Sequence, residues 1–199
     1  MSRGTFDEDA RGDPFLAEYE KARDVLRTPD WRRGLQEMEQ LARSGSIMSI
    51  LHLADAMRTG WGYDQDLPGA EAWYKVAVDS GLARGFSGLG HTHLAMGRFS
   101  EAIQDFEAAM ARGFPPACNM LGNMYFNGEG VPVDWQKALQ FWRKGASLGH
   151  LVARRNMVHQ SLHGRFGFWR RVAAMVTLLP FVIEYSTVKV MTPYTDRLR

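Results

Sequence analysis

Residues Ala117 to Ala153 read ACNMLGNMYFNGEGVPVDWQKALQFWRKGASLGHLVA. Two stretches with helical apolar spacing flank a glycine-rich turn. A degraded copy precedes this stretch, with Asp66 lying 68 residues before Asp134, and a shorter version falls between the two. A period in this range is the signature of stacked helical pairs.

Sliding the chain on itself makes the pattern explicit. Leu121-Gly122 align with Leu89-Gly90 and Leu53-Ala54. Gly128-x-Gly130-Val131-x-x-Asp134 aligns with Gly60-x-Gly62-Tyr63-x-x-Asp66. Ala138 aligns with Ala102, Ala70 and Gly34, and Trp142 with Phe106, Tyr74 and Met38. Glycines 45, 81, 113 and 149 close successive units at spacings of 36, 32 and 36. The small residue lets two helices approach closely, and the large residue four further on is expected to plug the groove to the neighbouring pair. A single pair cannot bury its apolar face alone, so pairs stack.

Outward from this stretch the chain reads as short helices. Residues 1–13 have no apolar periodicity and are expected to be disordered. Pro14 stands where a helix can begin, with Phe15, Leu16, Tyr19, Ala22, Val25 and Leu26 at helical spacing. Thr28-Pro29 stops that helix, and Asp30 is a suitable N-cap for the next. Further helices are expected over 47–59, after Asp66, over 83–95, after Arg98, and over 115–126, 134–147 and 150–163. Nothing alternates with period two, so no sheet is expected. The expected fold is all-α: a repeat domain over 14–163, a solenoid of stacked antiparallel helix pairs, followed by a basic and apolar C-terminal segment over 164–199.

The motif Leu121-Gly122-x-x-Tyr125-x-x-Gly128-x-Gly130-Val131-x-x-Asp134-x-x-Lys137-Ala138-x-x-Phe141-Trp142-x-Lys144-Gly145-Ala146 resembles a Sel1-like repeat, a relative of the tetratricopeptide repeats. Residues 49–85 carry a looser copy. The middle unit departs from the pattern, because Met96-Gly97-Arg98-Phe99-Ser100-Glu101-Ala102-Ile103 lacks the G-x-G-V insertion and resembles a tetratricopeptide turn. The resemblance implies a right-handed α-superhelix used for protein–protein interaction, often as an adaptor in bacterial signalling or envelope pathways. It implies no catalysis.

The net charge of +2 hides an asymmetry. Residues 1–149 carry 16 Lys+Arg against 20 Asp+Glu, while residues 150–199 carry 8 against 2. The tail opens with Phe166, Phe168, Trp169, Arg170 and Arg171, and continues through an apolar run, 172–183, that includes Leu178, Leu179 and Phe181. A transmembrane helix needs about 20 predominantly apolar residues. This run is shorter and holds Pro180, and extending it takes in Glu184 and Lys189. Two other readings fit: an interfacial helix on a membrane surface, or a helix that caps the solenoid or pairs two copies of it through 165–191. A simple cap wants a polar outer face, which 172–183 lacks.

Catalytic chemistry finds no support. His91-x-His93 points to different helix faces and cannot clamp a metal unaided, and no Cys/His ligand cluster accompanies it. Cys118, the single cysteine, stands at a small-residue position and reads as a buried small hydrophobe. Gly60-x-Gly62 and Gly128-x-Gly130 follow no strand, so they are repeat turns and not phosphate cradles. No cofactor, no metal and no nucleic acid is expected, the last because the repeat body is net acidic. The candidates for binding a protein or peptide of unknown identity are His52, Asp55, His91, Asn119 and Asn123, on the first helices that line a concave groove. The alternative is a structural homodimer built through the apolar tail. Without an apolar leader the expected location is cytoplasmic, and peripheral at the inner face of the membrane if the tail meets lipid.

Overall fold

The computed structural model describes residue 10 and residues 12–162. Among them the chain forms α1 (Leu16–Val25), α2 (Trp31–Arg43), α3 (Ile47–Thr59), α4 (Leu67–Asp79), α5 (Ala83–Ala95), α6 (Phe99–Ala111), α7 (Pro115–Asn127), α8 (Trp135–Ser147) and α9 (Leu151–Leu162). No strand occurs among the described residues. Local chemistry sets the helix starts. Ser46, Asp66 and Asp134 each accept the backbone N–H three residues on, which satisfies a donor the helix cannot. Asp30 behaves differently from expectation. It stands at the start of α2 without a side-chain cap bond; Thr28 Oγ1 instead accepts the Asp30 N–H at 3.2 Å.

Each helix packs on its successor, and α1 also packs on α3, α3 on α5, and α7 on α9. The first helices of successive pairs therefore lie side by side in one layer. The second helices make no comparable contact with one another among the described residues, so the first-helix layer is the inner, tighter side of the curve. The core is a chain of small clusters, as a one-dimensional array requires. Ala10, Tyr19, Ala22, Met38 and Met48 tie the first pair to α3. Ile50, Leu53, Ala54, Tyr74 and Leu89 tie α3 and α4 to α5. Phe106, Ala117 and Leu121 join α6 to α7, and Tyr125, Trp142 and Ala153 join α7 and α8 to α9.

The anchors behave as the spacing implies, with one refinement. Ala70, Ala102 and Ala138 have no exposure, and Met38, Tyr74, Phe106 and Trp142 are exposed by 2% or less. A Cβ at Gly122 would overlap the Trp142 ring, and one at Gly90 the Phe106 ring. Those two plugs thus seat on the first helix of their own pair. Tyr74 alone overlaps a glycine of the next pair, Gly88 in α5.

The packed body extends past Pro14 toward the N-terminus, against the expectation of disorder up to residue 13. Ala10 joins the first cluster, and Asp13 is buried. The Asp13 carboxylate accepts the Phe15 N–H at 2.8 Å, the Ser46 hydroxyl at 2.9 Å and the Met48 N–H at 2.7 Å. One aspartate so joins the start of α1 to the start of α3. Residues 1–9 and 11 lie outside the described residues, as does the whole tail from 163. At the last helix, Ala153 and Val158 are buried while Leu151 and Val152 are exposed.

The G-x-G loops lock one pair onto the preceding one. A Cβ on Gly130 would strike Phe99, the first residue of α6, and one on Gly62 would strike Leu35 and Trp31 of α2. Gly130 and Gly113 share the same left-handed backbone, φ +74° and +77°, but nothing lies within 4 Å of a Cβ at Gly113. Gly113→Ala is expected to cost about 1 kcal/mol from backbone strain alone. Gly130→Ala adds a steric clash and is expected to cost about 3 kcal/mol in total. Urea unfolding midpoints of the two variants measure the difference.

Candidate partner-binding face

Counting from each closing glycine, Asp55, His91 and Asn123 occupy one register position, directly after the small residue that receives the plug. The structure gives all three a plug as neighbour. Tyr74 donates its hydroxyl to Asp55 at 2.6 Å. Trp142 Nε1 donates to Asn123 Oδ1 at 3.2 Å. His91 stands edge-on to Phe106, with ring centroids 5.2 Å apart. The polar residue thus completes the hydrogen bonding of a buried ring where the ring has a donor, and packs on it where it has none.

The five candidates fall into two groups. Asn119 and Asn123 of α7 meet Asn156 of α9, whose Nδ2 donates to Asn119 Oδ1 at 3.0 Å and to Asn123 Oδ1 at 3.3 Å. His52, Asp55 and His91 belong instead to a basic and aromatic patch. Arg58 donates to Asp55 at 2.9 Å, and Arg84 of α5 reaches its other oxygen at 3.7 Å. Burial alone would raise the Asp55 carboxyl, but hydrogen bonds from Tyr74 and Arg58, with the charge of Arg58 and Arg84, hold it below the usual carboxylate range. Burial pulls His52 and His91 below the ordinary histidine value, and nearby arginines add to this. His52 lies between Tyr19 and Trp61, at 6.3 and 6.1 Å.

Sequence reasoning missed Asn156, Arg23, Arg58 and Arg84. Asn156 was legible: it stands at the register position of His52, seven residues after a closing glycine. The arginines carried no such signal, because the equivalents of Arg58 are Leu94 and Phe126.

A second polar cluster, also missed, holds the aberrant middle unit. His93 is 5% exposed. Its Nδ1 is hydrogen-bonded to Asp105 of α6 at 2.6 Å, and its Nε2 lies 3.5 Å from Glu71 of α4. Glu71 also accepts Lys75 at 2.6 Å and Arg98 at 2.8 Å, and Arg98 pairs with Glu101. Where the other units use a glycine loop to grip the start of the preceding second helix, the shortened turn uses Arg98 to grip Glu71 there. The Lys75 hydrogen bond, reinforced by His93 and Arg98, lowers Glu71 to about 2. Burial pushes Asp105 the other way.

Neither cluster arranges a nucleophile beside a base. Cys118 has no exposure, and burial raises its thiol, which keeps it in the inert form. Among the described residues no group of three or more His, Cys, Asp or Glu side chains is placed to hold a metal ion, and no helix is long and apolar enough to cross a membrane. Phe166, Phe168, Trp169, Arg170, Arg171, Leu178, Leu179 and Phe181 lie outside the described residues.

The stacked pairs, their G-x-G loops and their closing glycines match a known pattern. Residues 47–82 and 115–150 each match the family model described as the Sel1 repeat. These two segments are Sel1 repeats. The unit between them, with its shortened turn, is not matched by that model. Among solved structures, the chain is similar to a Sel1 repeat protein from Oxalobacter formigenes, with a TM-score of 0.64 and 21% identity over 78% of this chain and 65% of that one. It is also similar to a protective antigen of uropathogenic Escherichia coli strains displaying an SLR fold, with a TM-score of 0.61 and 22% identity over 79% of this chain and 36% of that one. The chain spans less than two thirds of either structure's length. No curated protein matches it in sequence. The Sel1 solenoid fold is therefore established. Sel1 repeat proteins generally mediate protein–protein interactions and are generally scaffolds without catalysis.

The Glu71 cluster makes stability depend on acid in a definite direction. A carboxylate depressed from 4.5 to about 2 in the folded state contributes stability that is full above its unfolded value and is lost as pH falls toward its folded one. Asp105, raised by burial, contributes in the opposite sense and is common to both proteins compared. Glu71→Gln is expected to lose about 2 kcal/mol at neutral pH and to approach the parent's stability below pH 3. Thermal melts across the acid range check this.

Proposed function

We propose that this protein is a non-enzymatic adaptor that holds a peptide or protein segment on the inner face made by α1, α3, α5, α7 and α9. The supporting observation is the set of polar side chains fixed on that face by their own neighbours. Asn123 commits its Oδ1 to Asn156 and Trp142, which orients its amide, and the buried Asn119 braces Asn156 from below. Side chains already ordered lose little entropy when a partner arrives. The second-helix layer offers exposed residues such as Gln104 and Gln140, which have no such support.

A photoreactive amino acid placed at Asn123 or His91 tests the assignment against placements at Gln104 and Gln140. Cross-linking to a polypeptide from the inner positions only is the expected result. Equal or exclusively outer cross-linking would sink it.

The tail supplies the second contact in this reading, with a membrane surface at the inner face of a cytoplasmic membrane or with another copy of the chain. Its supporting features are the surplus of basic residues over 150–199 and the apolar run 172–183. Fractionation and light scattering of the full chain and of a chain ending at Gly164 separate the options. Membrane recovery lost on truncation supports the lipid contact. A dimer lost on truncation supports self-assembly, the structural alternative.

A further inference from the structure

The N-terminal half of the inner face differs from the rest. Arg23, Arg58 and Arg84 come from three successive first helices, α1, α3 and α5, and each side chain is only about a quarter exposed, at 28%, 25% and 26%. The anions paired with them are Glu20, 3.8 Å from Arg23, and Asp55, shared between Arg58 and Arg84. Asp55 is further engaged by Tyr74, so the patch retains a surplus of positive charge. The Nε groups of Arg23 and Arg58 are buried without a hydrogen-bond partner among the described residues. Arg23 and Arg84 both act on Tyr19 and on His52, which places the arginines in one field. Partly desolvated guanidinium groups bind a carboxylate more strongly than open surface charges do, and can do so bidentately.

Beside the arginines runs a row of rings. Trp31 and Trp61 have centroids 6.4 Å apart, Trp61 and His52 6.1 Å, and His52 and Tyr19 6.3 Å. Trp61 is 46% exposed at the tip of its G-x-G loop. The same position in the other loop is Glu129, so the repeat does not require a tryptophan there. Tryptophan, tyrosine and arginine are the residues that carry binding energy at protein interfaces.

We propose that this patch docks an acidic peptide segment, whose carboxylates meet Arg23, Arg58 and Arg84 and whose apolar side chain packs on Trp61. The proposal rests on the adaptor reading and names the partner's chemistry. A nucleic acid also carries anions, but its continuous phosphates would meet a repeat body in which 20 Asp+Glu outnumber 16 Lys+Arg over residues 1–149. Separate carboxylates on a peptide match three arginines, two of them on Asp55 and the third beside Glu20.

The test uses the full chain and short fluorescein-labelled peptides read by anisotropy. One peptide carries Glu and Asp around a central Leu; a second replaces the acids by Gln and Asn; a third carries the acids without the Leu. The acidic Leu peptide is expected to bind about tenfold more tightly than the amide peptide, and more weakly as salt is raised. Arg84→Gln, Arg23→Gln and Trp61→Ala should each weaken it several-fold at an unchanged melting temperature. Arg143→Gln, at an exposed position on α8, should leave it unaltered. Trp61→Ala should not affect the peptide that lacks Leu. Equal binding of the acidic and amide peptides, no binding of the acidic peptide, or binding that ignores Arg84→Gln and Arg23→Gln would overturn the proposal. So would a single-stranded oligonucleotide that outcompetes the peptide. Inner-face cross-linking from Asn123 or His91 with any of these failures would leave the adaptor reading standing and remove only the acidic partner.

Discussion

The structure depends on a ring pressed against a helix that has no side chain at the point of contact. Trp142 on Gly122 and Phe106 on Gly90 leave no room for a Cβ. The close approach buries a whole ring in each of these two units, each ring worth several kcal/mol if removed. Because the contact is made within a pair and repeated along the chain, stability accumulates pair by pair. The next residue along each first helix is then held beside the ring. That placement makes Asp55, His91 and Asn123 both structural partners of the plug and members of the inner surface. An inner-face residue in this solenoid is therefore not free to vary for binding alone.

The middle unit shows the same mechanical task done by different chemistry. The flanking units grip the preceding second helix with a glycine loop, Gly62 on Leu35 and Trp31, Gly130 on Phe99. The shortened turn at Met96–Arg98 has no loop to offer. Arg98 reaches Glu71 instead, and His93 brings Asp105 to the same cluster. Apolar contact of the first kind is insensitive to pH, whereas the ion-pair cluster answers to it. The array thus carries one joint of electrostatic character between two of packing character.

The inner face is not uniform along its length. Its N-terminal half combines arginines with a row of rings, and its C-terminal half is built from neutral amides around Asn156. In the proposed reading the amide half would offer hydrogen bonds to a polypeptide backbone, and the basic half would select by charge. A single extended segment running across both would be gripped by its backbone at one end and recognised by its side chains at the other.

The sequence alone determined the fold, because the period of small residue, plug and closing glycine is a direct imprint of helix stacking. It also determined the caps at Asp66 and Asp134, where the partner lies three residues away. It assigned the candidate residues to the first helices, and the register of the repeat would have added Asn156. Only the tertiary structure decided what no local pattern encodes. Asp13 ties two helices more than thirty residues apart in sequence, since its acceptor atoms find Ser46 and Met48 only after the first two pairs stack. Tyr74 bonds Asp55 of its own pair and also fills the space over Gly88 of the next. Arg23, Arg58 and Arg84 share no register position, and converge because successive first helices lie side by side in the inner layer. Long-range convergence of unrelated positions leaves no periodic trace, which is why the scaffold was legible and the basic patch was not.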